Sequence, residues 1–226
     1  MNSPKRKAAT RKRVLIVDDH PVLRRGVVEM LAQEPDLTVC GEASDVHEAL
    51  QAVEELKPDL VLVDITLKNS NGLELLKDLR TRWPNLPALV LSMHDETLYA
   101  ERALRAGARG YVAKGEPPAR VMQAVRQVLN GEVYVSERLA SKLLYRLVNG
   151  QPGSGRFSVE ALSDREFEVF RFIGEGRSTR DIAERLHLSV KTIESHRENI
   201  KRKLKLKNAS ELLQHAIQWV QYEKQS

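Results

Sequence analysis

Four apolar runs of four residues, each closed by a side chain with chemistry to offer, constrain this chain more than any other feature. Val14-Leu15-Ile16-Val17 leads into Asp18 and Asp19, and Leu60-Val61-Leu62-Val63 into Asp64. Ala88-Leu89-Val90-Leu91 leads into Ser92, and Gly110-Tyr111-Val112-Ala113 into Lys114. Short unbroken apolar runs separated by helix-length segments are the pattern of strands buried on both faces of a parallel sheet. A further strand-like stretch, Leu37-Thr38-Val39-Cys40, brings the number to five. The segments between carry apolar residues at helical spacing, and helices are expected over 21–33, 46–57, 72–82, 96–106 and 117–130. Pro21 and Pro117 stand at helix starts, where a missing N–H leaves nothing unsatisfied. Five such units predict a doubly wound α/β fold with a parallel five-stranded sheet of order 2-1-3-4-5.

In such sheets the functional edge lies beyond the carboxyl ends of the strands, so three acids, one hydroxyl and one amine should gather there. Any one of them alone reads as a helix cap or solvated surface; five at successive strand ends do not. Three carboxylates in one concavity repel each other and favour a hard divalent cation with oxygen ligands, Mg2+ above others. Such an ion would neutralise a phosphoryl group arriving at the Asp64 carboxylate. Ser92 can donate a hydrogen bond to a phosphoryl oxygen, and Lys114 supplies a point positive charge.

Over about residues 14–130 the chain resembles the receiver domain of two-component response regulators. The residues that carry the resemblance are Val-Asp18-Asp19-His20-Pro21, Val-Asp64-Ile, Leu91-Ser92 and Tyr111-Val-Ala-Lys114. The resemblance implies that Asp64 accepts a phosphoryl group from a sensor histidine kinase, with Mg2+ held by Asp18, Asp19 and Asp64. It makes Tyr111 an aromatic switch residue that moves when Ser92 closes on the phosphate. Thr66-Leu67-Lys68-Asn69 departs from the Met-Pro pair that many relatives carry after the acceptor, which bears on loop conformation and phosphate lifetime.

The remaining composition fits a two-domain protein with real cores: 226 residues, 42% hydrophobic. Charge is unevenly spread within a net of +5. Residues 1–13 hold six Lys or Arg and no acid, which reads as a disordered solubilising tail or, alternatively, a supplementary DNA arm. Residues 14–130 hold 13 basic against 18 acidic residues, and residues 185–207 hold eight basic against two acidic. Only the second half is thus expected to meet a polyanion. The single Cys40 offers neither a disulfide framework nor metal-ligand spacing and reads as a small buried hydrophobe. With no membrane-length apolar run and no secretory signal, a soluble cytoplasmic protein is expected.

A short helix over 137–148, capped by Ser136, falls within a linker of 131–157 that includes the Gly/Pro/Ser cluster 149–155. From 158 to 226 the pattern is all helix. Ser163 with Glu166 forms a capping box, Ser178-Thr179 opens a second helix with Ile182, Ala183 and Leu186 inward, and His187-Leu188 makes a tight turn. Ser189 caps a third helix over 190–203, and Asn208 with Glu211 opens a fourth. A short helix, a tight turn and a polar helix predict a helix-turn-helix. On a helical wheel the third helix has an apolar face of Val190, Ile193, Ile200 and Leu204. Its opposite face is Lys191, Ser195, Glu198 and Arg202, flanked by Thr192, Glu194, Asn199 and Lys201. Amides, hydroxyls and carboxylates can read base edges while Lys and Arg bind phosphates, so double-stranded promoter DNA is the expected partner.

The segments Leu162-Ser-Asp-Arg-Glu166, Leu188-Ser-Val-Lys-Thr-Ile-Glu-Ser-His196 and Lys203-Leu-Lys-Leu206 are similar to the LuxR-type DNA-binding domain. With the receiver they make the chain similar to NarL/FixJ-family response regulators over nearly its whole length. The similarity implies major-groove reading by the third helix, dimerisation through the fourth, a homodimer on phosphorylation, and RNA polymerase as a further partner. Thr179, Ser189, Lys191, Thr192, Glu194, Ser195, His196, Glu198, Asn199, Lys201 and Arg202 are the candidate DNA contacts. Glu194 and Glu198 either accept hydrogen bonds from cytosine N4 or make internal ion pairs with Lys191, Lys201 or Arg202. His196 reads as a packing residue or a phosphate contact, His20 as a helix-entry residue, and Trp219 and Tyr222 as core or dimer contacts.

Two other classes fit less well. A phosphoaspartate-forming phosphatase would carry a second acid two residues after the nucleophile, where this chain has Thr66. A constitutive DNA binder with a vestigial receiver would have no need of all five strand-end residues. No glycine-rich phosphate loop is present, so ATP-driven activation is not expected, and the protein is read as a regulator rather than an enzyme.

Overall fold

The computed structural model describes residues 11–67, 70–93, 96–148 and 159–225, with the side chains of 97, 98, 142, 143, 146, 147, 160 and 222–225 left out. Most of the basic tail, the 149–155 cluster, Lys68-Asn69 and the Tyr222 side chain therefore lie outside the described residues. The chain forms two compact units, one made of the residues before 96 together with 100–134, the other of 96–99 together with 135 onwards.

The first unit is a five-stranded parallel sheet of β1 (Lys12–Val17), β2 (Leu37–Ala43), β3 (Leu60–Val63), β4 (Ala88–Ser92) and β5 (Gly110–Ala113). Their spatial order is 2-1-3-4-5, all parallel. Val17 lies beside Val63, Val63 beside Val90, and Ser92 beside Ala113, so the strand ends come level. The apolar runs of β1, β3 and β4 are buried on both faces, as continuous hydrophobic strands require.

Five helices alternate with the strands: α1 (Pro21–Ala32), α2 (Val46–Leu56), α3 (Gly72–Arg82), α4 (Glu96–Ala106), whose first four residues fall in the second unit, and α5 (Pro118–Leu129). Asp45 caps α2 by accepting from the Glu48 N–H, and Asn71 caps α3 by accepting from the Leu73 N–H. Between β3 and α3, Thr66–Leu67 pairs antiparallel with Ser70–Asn71. Sequence reading leaves this stretch as a loop, because two-residue pairings carry no period to detect. Cys40 is half-buried on edge strand β2 rather than buried, and its partial burial raises the thiol pKa. Beyond α5, Tyr134 forms a parallel bridge to Gly110; the Tyr111 N–H donates to the Tyr134 carbonyl (3.1 Å) and the Tyr134 N–H to that of Arg109 (2.9 Å).

The second unit holds α6 (Glu137–Val148), a 3₁₀ turn (Val159–Ala161), α7 (Asp164–Gly174), α8 (Thr179–Arg185), α9 (Val190–Leu204) and α10 (Ala209–Gln225). Capping boxes at Ser163/Glu166 and Ser178/Asp181 open α7 and α8. His187 adopts φ 51, which turns the chain between α8 and α9. Ile182, Leu186, Ile193, Ile200, Leu212 and Ala216 are buried, and Trp219 meets Phe170 edge-on with centroids 5.8 Å apart. A Cβ on Gly174 would stand 2.4 Å from the Ala216 carbonyl oxygen, so α7 and α10 touch backbone to backbone there. Val190 is 48% exposed, which removes it from the apolar face expected of α9. It sits on the first turn, where the helix has yet to meet its neighbours.

Candidate functional site

The carboxyl ends of β1, β3, β4 and β5 bring Asp18, Asp19, Asp64, Ser92 and Lys114 to one edge. Backbone bonds between neighbouring strand ends hold three of them: the Asp18 N–H donates to the Ala43 carbonyl at 3.0 Å, the Asp64 N–H to the Val17 carbonyl and the Lys114 N–H to the Ser92 carbonyl, both at 2.8 Å. A second restraint comes from Gly72, where a Cβ would lie 2.0 Å from the Asp64 carbonyl oxygen. The α3 helix can press this closely on the strand end only because it starts with glycine.

Inside the cluster, Lys114 Nζ donates to Asp18 Oδ2 at 2.6 Å and to Asp64 Oδ2 at 2.7 Å. The three side chains are about 5% exposed or less, so this is a buried bridge between two carboxylates. Burial pushes the Asp64 carboxyl above its usual range; Lys114 pulls it down, Asp18 raises it, and a hydrogen bond with Ser92 lowers it. The net direction is upward. Ser92 and Tyr111 are both buried, Tyr111 in register with Val90.

Asp18, Asp19, His20 and Asp64 each offer one ligand atom to a set lying within 4.8 Å of one another, a group able to hold a metal ion. Asp64 Oδ1 is buried without a hydrogen-bond partner, and Asp19 Oδ1 has only the ion-pair contact of the His20 ring nitrogen beside it, at 2.6 Å. Orphaned carboxylate oxygens are what a hard cation satisfies, so the residues fit such an ion. Sequence reading missed two members of this neighbourhood. His20, expected only to start a helix, is the N-cap of α1 and also reaches the acids. Arg24 braces the edge, donating to the Asp18 carbonyl (2.6 Å) and to Glu42 (2.8 Å). A D-D-H triplet is the one signal that could have drawn attention to His20.

In the second unit the candidate DNA residues lie along α9 and at the start of α8. Ser189, Lys191, Glu194, Ser195, Glu198 and Arg202 are exposed, while Thr179, Thr192, His196, Asn199 and Lys201 are half-buried. Several are already engaged with each other. Ser189 Oγ caps α9 at the Thr192 N–H (3.0 Å) and shares a hydrogen bond with Thr192 Oγ1 (2.8 Å). Ser195 donates to the Lys191 carbonyl, and Arg202 to Asn199 Oδ1. Glu198 pairs with Lys201 at 2.8 Å, and Glu194 lies 3.8 Å from Arg197, a partner absent from the sequence-based expectation.

The ends of α9 are fixed from α7. Lys203 Nζ donates to Glu166 at 2.6 Å. Burial pushes the Glu166 carboxyl up, but hydrogen bonds from Lys203 and Ser163 outweigh it and leave the pKa lowered. Arg165 donates to Glu168 (2.9 Å) and to the Leu186 carbonyl (3.1 Å), which ties down the turn before α9. His196 is half-buried with Nδ1 lacking a partner, and burial, then Arg165, lowers its pKa against the pull of Glu166.

Two family models match. Residues 14–126 fit the response regulator receiver domain, and residues 160–216 fit the luxR family of bacterial regulatory proteins. The transcriptional activator protein ExaE of Pseudomonas putida is 39% identical over 205 residues, covering 91% of this chain and 95% of that protein. The oxygen regulatory protein NreC of Staphylococcus haemolyticus is 36% identical over 209 residues, covering 91% and 96%. Among solved structures, RcsB from Salmonella enterica serovar Typhimurium bound to a promoter with the phosphomimetic BeF3− matches with TM-score 0.60. It is 28% identical over 92% of this chain and 98% of that one.

Proposed function

Because the chain belongs to the response regulators that join a receiver domain to a LuxR-type DNA-binding domain, we propose that Asp64 is the phosphoacceptor and α9 the DNA reader. The observation that carries the first assignment is the convergence of Asp18, Asp19, Asp64, Ser92 and Lys114 on one sheet edge, with an orphaned Asp64 oxygen among them. By sequence the phosphoacceptor domain is assigned residues 14–130, the linker 131–157 and the DNA-binding domain 158–226, after a basic tail of 1–13; the compact first unit carries four residues more, to Tyr134.

An Asp64 oxygen attacks the phosphorus of a phosphohistidine on a sensor kinase. The new P–O bond forms as the P–N bond breaks, and the imidazole leaves with its electron pair. Lys114, now shared by Asp18 and Asp64, pairs with the phosphoryl oxygens, and Ser92 donates to one of them. Asp18, Asp19 and Asp64 would hold Mg2+, which supplies charge neutralisation at the phosphoryl group. Tyr111 repacks as Ser92 closes, and the receivers of two copies pair. The dimer works in the cytoplasm, on promoter DNA, with RNA polymerase as its partner there. In sequence reading, Thr179, Ser189, Lys191, Thr192, Ser195, His196, Asn199, Lys201 and Arg202 supply the contacts.

The ion pair between Glu198 and Lys201 supports a charge-tempering role for the two α9 acids. Replacing Glu194 or Glu198 with Ala should then raise affinity for all sequences alike and steepen the salt slope. Loss of preference at one cytosine position, by about 1–3 kcal/mol, would instead make that Glu a base reader. The proposed function is tested by selecting bound sequences from a random duplex pool, with and without a small phosphodonor. One motif should emerge, at lower protein concentration when the donor is present. Failure to enrich any motif under either condition overturns the reading.

A further inference from the structure

The amino edge of the parallel sheet, at the other end of the strands from the acids, carries an open cleft of about 640 Å³. Its walls include Lys12 at the start of β1, Arg82 and Trp83 at the end of α3, and Arg109 just before β5. A smaller and mostly apolar cleft of about 310 Å³ adjoins it, lined by Val53, Glu54, Lys57, Pro58, Trp83 and Leu86. Pro58, Trp83 and Leu86 belong to both, so the half-buried indole stands where the two meet.

Charge in the larger cleft is unbalanced. Its one carboxylate, Asp59, is already engaged, accepting from Lys12 Nζ at 3.0 Å and from the Arg13 N–H at 2.8 Å. Arg82 and Arg109 are exposed, and among the described residues neither guanidinium has an ion pair or hydrogen bond. Two planar, permanently charged forks beside one cleft suit an anion with several acceptor oxygens. The main chain offers a peptide little here. The N–H groups of Lys12, Asp59, Val61 and Arg109 already donate to the carbonyls of Asp36, Arg13, Pro87 and Ala88. An aromatic wall at an apolar recess suits a flat ring instead, since any nucleobase has a face to stack.

We propose that this edge binds a nucleotide, its phosphates on Arg82 and Arg109 and its base against Trp83 in the smaller cleft. Both volumes fall in the range of small-molecule sites, roughly 300–1,000 Å³. The chain has no glycine-rich phosphate loop, so side chains rather than backbone amides grip the phosphates, and the ligand is bound without being hydrolysed. The site is a second input to the first unit, separate from the carboxyl edge that holds Asp64.

The test titrates the full-length protein with each ribonucleoside diphosphate while NMR follows the indole N–H signals of its 2 tryptophans. The Trp83 signal should move and saturate. That of Trp219, packed edge-on against Phe167 and Phe170, should stay in place. Pyrophosphate and the free nucleoside, each carrying part of the recognised chemistry, should bind about tenfold more weakly or worse than the best diphosphate. Arg82→Ala and Arg109→Ala should each lower its affinity by about tenfold while thermal melts stay as in the native protein. A Trp83 signal unmoved by every diphosphate at millimolar concentration overturns the proposal. So does equal affinity for pyrophosphate or equal competition by a polyglutamate peptide, either of which would make the cleft a plain anion patch. Affinity that survives the loss of both arginines overturns it as well.

Discussion

Replacing Asp64 with Asn should abolish labelling by a small phosphodonor while leaving the protein folded. The amide is nearly isosteric with the carboxylate but is not a nucleophile, so the loss should be complete rather than partial. The fold should survive because Lys114 keeps its bond to Asp18. It should even gain stability at neutral pH. Burial first, and Asp18 after it, hold the folded Asp64 pKa above its ordinary value of about 3.9. A raised carboxyl pKa means that the folded state favours the protonated form. The resulting penalty is absent below the ordinary pKa, grows as pH rises towards the raised one, and is complete above it. Asn removes it. Intact-mass measurement after donor treatment reads the labelling, and thermal melts read the fold. Stoichiometric labelling of the variant would take Asp64 out of its assigned role.

Phosphorylation should raise operator affinity about 10²- to 10⁴-fold by joining two DNA-binding domains, with no new contact to DNA. The phosphoryl group brings a charge of about −1.5 to −2 to a site whose ammonium is already shared between two carboxylates. Lys114 and Ser92 are then expected to rearrange; Tyr111 lies buried on the strand that leads into Lys114. Sedimentation should show a shift from monomer to dimer with the donor, and titration of an operator duplex should show the matching gain. Equal monomer fractions and equal affinity with and without phosphate would sink this switch.

The first unit was legible because parallel strands buried on both faces leave unbroken apolar runs, and because strand ends in such sheets share one edge. Asp18, Asp64, Ser92 and Lys114 follow from that rule without any knowledge of side-chain direction. What could not be read were contacts between residues with no periodic relation. Lys114 spans 50 residues to Asp64 and 96 to Asp18, and nothing in the sequence says that its ammonium sits between the two. The Glu166–Lys203 pair is hidden in the same way, since Lys203 reads as one more member of a basic run. On α9 the wheel placed Ile193 and Ile200 correctly but not Val190, because a wheel assumes that neighbours cover the whole length of a helix. The Glu198–Lys201 pair obeys the local i, i+3 rule and is among the pairs expected from the sequence; the approach of Glu194 to Arg197 obeys the same rule but is not among them.

The bridge between Tyr134 and Gly110 decides where this architecture can be cut and rejoined. With α5 over at Leu129, a module trimmed there would leave β5 as a bare edge, its amides and carbonyls open to any other extended chain. Tyr134 covers that edge with a single residue. The piece that can be transplanted onto another output, by recombination or by design, therefore carries its own selvedge: it ends after Tyr134, and a shorter one should tend to stick to its copies.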